Sequence, residues 1–221
     1  MIVIGMIGAA AIFLFIGWAV STEMFQHRAW RNRVASGDVD IVAALIEEAL
    51  NTWRRTRPPR GVPAGLWAGI QGAQLIAVTP ESATLSTAAE GEFRTEDGQR
   101  RQVATALDEA IALAARLVDM MLYDVPNLRL GLVRVDVYST FTEGAGVPVQ
   151  RPILTTTADR ATADDMTWEA LTPEEILGRF ETTFARGQTG QGLPITVPPV
   201  VGSTPNPLPP GAVALTHEEA S

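Results

Sequence analysis

The chain of 221 residues has no cysteine, no lysine and only two histidines. Without cysteine there can be no disulfide framework, thiolate zinc site, iron–sulfur cluster, thiol nucleophile or acylated cysteine anchor. Without lysine, P-loop phosphate binding and Schiff-base catalysis are excluded; all 17 basic residues are arginine. Two histidines, His27 and His217, leave almost nothing for an imidazole-built metal or catalytic centre. Base is scarce overall: 25 acids give a formal net charge of −8 and a pI near 4.8. Nucleic-acid binding, which needs a basic footprint, is therefore not expected.

What the sequence does contain begins at its first residue. MIVIGMIGAAAIFLFIGWAV (residues 1–20) carries no charged side chain, and the first one is Glu23. About 20 apolar residues at 1.5 Å rise span a ~30 Å hydrocarbon core, so this run predicts a transmembrane helix. A cleaved signal peptide would need basic residues ahead of the run, and Ala19-Val20-Ser21 is a poor cleavage site. Gly5 and Ala9 form a small-xxx-small pair with Gly17 on roughly the same face, a surface suited to packing against a partner helix. Trp18, Phe25 and Trp30 fall near the membrane–water interface, together with Arg28, Arg31 and Arg33. Basic residues flank the run only on its C-terminal side. The expected topology is thus single-pass in the cell membrane, with the N-terminus outside and the soluble part in the cytoplasm.

Charge divides the rest. Residues 1–60 hold seven arginines against five acids, and residues 61–221 hold ten against twenty. The basic part suits contact with membrane lipid. Residues 1–35 read as the membrane helix with an interfacial extension, 36–186 as a soluble α+β domain, and 187–221 as a Pro/Gly-rich extended tail. Seven of the fifteen prolines lie in residues 194–210. A proline-rich segment loses little entropy on ordering and can drape over a protein partner.

Within the domain, Asp38 is a plausible N-cap for a helix to about Arg55, with Val42, Leu45, Ile46, Ala49, Leu50 and Trp53 at helical spacing. Residues 66–78 read as a strand and 83–94 as a second. Val103, Leu107, Ala110, Ile111, Ala114, Leu117, Val118, Met121 and Leu122 predict one face of a long helix ending before Pro126. Residues 129–141 alternate as a strand, and 149–160 follow as its hairpin partner. Thr172-Pro173-Glu174-Glu175 has capping-box spacing with proline at the first helical position, predicting a helix to about Ala185. The order α-β-β-α-β-β-α predicts a small two-layer domain with an antiparallel sheet and helices on one face.

The candidate chemical constellations reduce to structural roles. His27 reads as a polar flank of the membrane helix, and His217 has no catalytic neighbour. Asp159-Arg160 with Asp164-Asp165 lacks the alternating carboxylates of an EF-hand and reads as a solvated helix entry. The pairs Glu47-Glu48 and Glu174-Glu175 point in different directions on their helices. Met120, Met121, Trp67 and Trp168 read as core or interface. No serine lies in a G-x-S-x-G elbow. No catalytic, cofactor or metal residue is predicted.

The expected product is a non-catalytic, single-span accessory subunit that supports assembly or stability of a larger bacterial membrane complex. It would contact other transmembrane subunits through its N-terminal helix. The alternative is a free-standing membrane-anchored adaptor or regulator that recruits cytosolic partners. In layout, with its anchor (residues 2–20), compact domain (38–186) and tail (187–221), the chain resembles the small single-span accessory subunits of bacterial electron-transfer complexes, of the alternative complex III or photosynthetic reaction-centre type. The resemblance implies a place in respiratory or photosynthetic electron transport, with redox centres on other subunits. The missing CxxCH excludes c-type haem on this one.

Overall fold

The computed structural model describes residues 38–96 and 99–202. Asp38 caps helix α1 (Val39–Arg55), its side chain accepting from the Asp40 amide at 3.1 Å. The predicted stripe from Val42 to Trp53 is buried. The next segment differs from the expected strand over 66–78. It forms helix α2 (Ala64–Gln71) and only then strand β1 (Gln74–Val78). Leu66, Trp67 and Ile70 have helical rather than alternating spacing. They fix α2 against α1, with Trp67 and Ile70 buried. Gln71 Nε2 and Trp67 Nε1 donate to Thr56 O at 3.1 and 3.0 Å, and Gln71 also donates to Arg54 O. These bonds satisfy carbonyls that the end of α1 leaves without partners.

Strand β2 (Ser82–Ala88) follows a turn held by the Thr79 hydroxyl, which accepts from the Ser82 amide at 2.9 Å. The expected strand over 83–94 is split. Glu92–Glu96 forms β3 of a separate two-stranded ribbon with β4 (Gln99–Ala104). Helix α3 (Ala106–Asp119) therefore begins later than the apolar periodicity implied, and Val103 sits on β4, 42% exposed. The start is set by a capping box: the Thr105 hydroxyl accepts from the Asp108 amide, and the Asp108 carboxylate accepts from the Thr105 amide. Helix α3 runs into a π-helical turn, Met120–Asp124, whose Met120, Met121 and Leu122 are core residues.

Strands β5 (Leu132–Glu143) and β6 (Val147–Asp159) form the expected hairpin. After the short helices α4 (Arg160–Asp164) and α5 (Pro173–Leu177), the predicted long helix stops at Gly178. The capping box of Thr172 and Glu175 is present as read. The following Glu-Thr-Thr-Phe-Ala-Arg forms β7 (Glu181–Arg186) instead, where its β-branched residues pair with β6. The Thr182 hydroxyl both bonds the Thr156 hydroxyl and donates to Leu177 O. A short β8 (Gly192–Leu193) pairs with β7.

The main sheet has the order β1-β2-β5-β6-β7-β8, so the domain is α+β with a mixed sheet. The expected wholly antiparallel sheet is corrected at one seam: β2 and β5 run parallel, from Ser82↔Leu132 to Ala88↔Tyr138. Helix α3 lies between them in sequence and carries the chain back along the sheet, which two tandem hairpins would not do. Ala83, Leu85, Val133, Val135 and Val137 project into the core with the helices. Residues 194–202, within the expected extended tail of 187–221, cross the opposite face of the sheet as a strap. The Ile195 amide donates to Pro152 O on β6 at 2.9 Å, and Gly202 lies close to Val78 O at the end of β1.

Helix α2 sits so near α3 that a Cβ on Gly69 would run into the Leu113 methyls, while Gly69 O accepts from the buried Thr87 hydroxyl at 2.6 Å. Replacing Gly69→Val obliges the buried Leu113 side chain to leave its place and crowds Ala88 O. It should lower stability by about 2 kcal/mol or more, read as a shifted urea midpoint with an unchanged slope.

Candidate functional site

On the face of the sheet away from the helices, alternation places Thr84 and Ser86 of β2, Arg134, Asp136 and Tyr138 of β5, and Thr155 and Thr157 of β6. In the middle of this hydroxyl-rich surface lies a buried ion pair. Arg134 Nε and Nη2 donate to the two oxygens of Asp136, each at 2.9 Å, and the side chains are 10% and 4% exposed. Asp136 also accepts from the Thr155 hydroxyl at 2.6 Å. The planar fork of the guanidinium matches the carboxylate bidentately and leaves further donors pointing away from the sheet. The strap takes these: Nη2 donates to Pro198 O at 2.7 Å and Nη1 to Pro199 O at 3.2 Å. Four of the five guanidinium donors are thereby used.

The local sequence explains the arrangement. The alternating Val133-Arg134-Val135-Asp136-Val137 buries its valines under α3 and sends the charged residues to the other face, two residues apart on one strand. Proline has no amide proton, so Pro198 and Pro199 cannot extend a sheet. Their carbonyls remain free for Arg134, and after the Ile195 amide has bonded Pro152 O of β6 the segment crosses the strands.

A second feature is a cleft of about 450 Å³ between α2, α3 and the β3–β4 ribbon, lined by Gly65, Gly69, Glu90, Phe93, Glu109 and Leu113 among others. Burial pushes the Glu109 carboxyl above its ordinary value, and the charges of Glu92 and Asp108 add to this. Asp108 behaves oppositely. Burial raises it, but hydrogen bonds from the Thr105 hydroxyl and amide and the charge of Arg186 outweigh that and hold it below its ordinary value.

The residues singled out in the sequence divide into two groups. Gly5, Ala9, Gly17, Trp18, Phe25, Arg28, Trp30, Arg31 and Arg33 lie outside the described residues, as do His27 and His217. Among the described residues no helix is long and apolar enough to cross a membrane, and the apolar run of residues 1–20 is not among them. The others are placed. Asp159 caps α4, accepting from the Thr162 amide at 2.8 Å, and this hydrogen bonding holds its carboxyl below the ordinary value. Arg160 donates to Leu130 O and Leu122 O, tying α4 to the end of α3. Asp164 accepts from Tyr123 Oη at 2.8 Å. Desolvation, with that hydrogen bond, pushes the Tyr123 phenol up to about 12. Trp67 is core. Trp168 packs edge-on to Tyr123 at 6.0 Å. The Arg134–Asp136 pair and its strap were missed. Their signal was present: two opposite charges at i and i+2 in a valine strand, with a proline pair downstream.

Comparison of the chain with protein-family models, with curated proteins and with solved structures finds no match.

Two expectations follow from the charges. Replacing Arg134→Leu leaves Asp136 buried without its counter-charge and should cost about 3–5 kcal/mol, whereas Arg134→Leu with Asp136→Leu should recover most of the loss. Equal denaturation midpoints for the single and double variants would contradict this. At Glu109, a raised folded-state value means that the charged carboxylate disfavours the fold. Glu109→Gln should therefore raise the thermal midpoint at pH 7. The gain should vanish as the pH falls below the unfolded-state value near 4.5, where the wild-type side chain is protonated in both states.

Proposed function

We propose that the chain is a non-catalytic accessory subunit of a larger membrane complex, held by a single N-terminal span and folded into one α+β domain. The observation that carries this reading is the charge-free apolar run of residues 1–20, followed after a short arginine-bearing connection by a domain that starts at Asp38. A connection of that length keeps the domain beside the bilayer. The arginines Arg28, Arg31 and Arg33 adjoin the run, while Arg54 and Arg55 come a helix length of about 25 Å after Asp38, so the first group sets the orientation with the domain on the cytoplasmic side.

The clustered polar groups support a structural rather than a catalytic role. Asp159, Glu175 and Asp108 cap helices, and Arg160 and Arg134 hold backbone carbonyls in place. The small-residue face of Gly5, Ala9 and Gly17 is proposed to pack on other transmembrane subunits, and residues 203–221, which follow the strap, to reach a protein partner. Membership of a respiratory or photosynthetic electron-transfer assembly rests on the resemblance in layout.

An alkaline phosphatase fused to the C-terminus should remain inactive, and strong activity would reverse the topology. In mild detergent the protein should migrate on a native gel with a large assembly. Gly5→Ile combined with removal of residues 203–221 should deplete it from that band while leaving it in the membrane fraction. Full comigration of this variant would show that neither element is an attachment site. Wild-type protein found only at about 24 kDa would favour the free-standing adaptor.

A further inference from the structure

The strap is bound to the sheet in a manner that another chain can reproduce. Residues 194–202 pass from Pro152 on β6, over Arg134 on β5, to Val78 at the end of β1, and must cross β2 on the way. Pro152 is in register with Tyr138 on β5, whereas Val78 pairs with Ala83 on β2 and Ala83 with Val133 next to Arg134, so the path runs diagonally across the sheet. The described hydrogen bonds that hold residues 194–202 to the sheet are backbone ones on the strap's side: the Ile195 amide and the Pro198 and Pro199 carbonyls. No strap side chain takes part in them. What the surface reads is thus an extended backbone stiffened by two prolines, with consecutive carbonyls turned toward a guanidinium.

We propose that this face is a binding surface for an extended, proline-containing segment of a partner protein, and that residues 194–202 are its intramolecular occupant, displaced when the partner segment docks. The chemistry of the occupant is argued from the strap itself. Two adjacent prolines preset the polyproline geometry, so a segment that carries them loses little freedom on binding. Prolines lack amide donors, so their carbonyls are not drawn into a sheet and meet Arg134. Asp136 and Thr155 hold the guanidinium in position whichever chain supplies the carbonyls. A tethered strap acts at an effective concentration on the order of millimolar, so the resting surface is closed to weak ligands and open to a matched or linked one. This proposal concerns the sheet face and stands whether or not the chain spans a membrane.

The test uses the full chain and a fluorescent peptide with the sequence of residues 192–202. Wild-type protein, whose own strap competes, should bind the peptide weakly. A chain carrying Pro198→Gly and Pro199→Gly keeps both carbonyls but loosens the strap, and should bind the same peptide about tenfold more tightly or better. A peptide with those two glycines should bind the loosened chain at least about tenfold less well than the proline peptide. Because the peptide comparison changes no residue of the protein, misfolding cannot account for it. Equal affinity of the wild-type and loosened chains, or of the two peptides, would overturn the proposal. So would formation of a dimer by the loosened chain that excludes the peptide, since the occupant would then be a second copy of the strap.

Discussion

The position of the strap, and with it the shape of the sheet's outer face, depends on one guanidinium. An arginine taken out of water needs its charge neutralised and its donors filled, or the cost of burial is several kcal/mol. Arg134 meets both conditions by dividing its donors between a carboxylate in its own strand and two carbonyls some 64 residues later in the chain. The two halves depend on each other. Asp136 and Thr155 fix the plane of the guanidinium so that its remaining donors face the strap, and the strap keeps water from the pair. A lysine in this place would offer a point charge without the fork, and could not hold carboxylate and carbonyls in one plane.

The other constraint is the parallel seam of β2 and β5. A parallel pair needs a long crossover, and α3 supplies it while forming the centre of the core: its Leu107, Leu113 and Leu117 are fully buried, as is Met121 in the π-helical turn that follows. Valines at 133, 135 and 137 meet that helix. The same strand alternation that serves the core delivers Arg134 and Asp136 to the far side. Core and outer face are therefore two products of a single alternating strand, and a register slip by one residue would exchange them.

Much of this was legible in the sequence, where the signal was local. The caps at Asp38 and at Thr172–Glu175, the apolar stripe of α1 and the β5–β6 hairpin follow from spacing alone. The differences share a cause: caps and glycines divide apolar runs whose periodicity is continuous. Gly72 closes α2 within the apolar run 66–78, the box of Thr105 and Asp108 opens α3 after Val103, and Gly178 ends α5 before a strand of threonines. The parallel seam could not be read locally, because it depends on where α3 packs. The strap was hidden for a different reason. Composition reads residues 194–202 as part of an extended segment, but such a segment finds its place through tertiary contacts that periodicity does not encode.

The two faces of the sheet also separate the two ends of the described chain. Helix α1, the first element after Asp38, packs on the helical side through Val42, Ile46 and Leu50, while the strap leaves from the opposite face and ends beside Val78. Force or binding applied to the segment before Asp38 is resisted by apolar packing spread along α1. That packing is collective and yields only with the core. The strap is held by a few described hydrogen bonds from its backbone, centred on one side chain, so its release breaks fewer contacts than the loss of α1. Among the described residues, contacts are thus spread along α1 at one end and concentrated on Arg134 at the other.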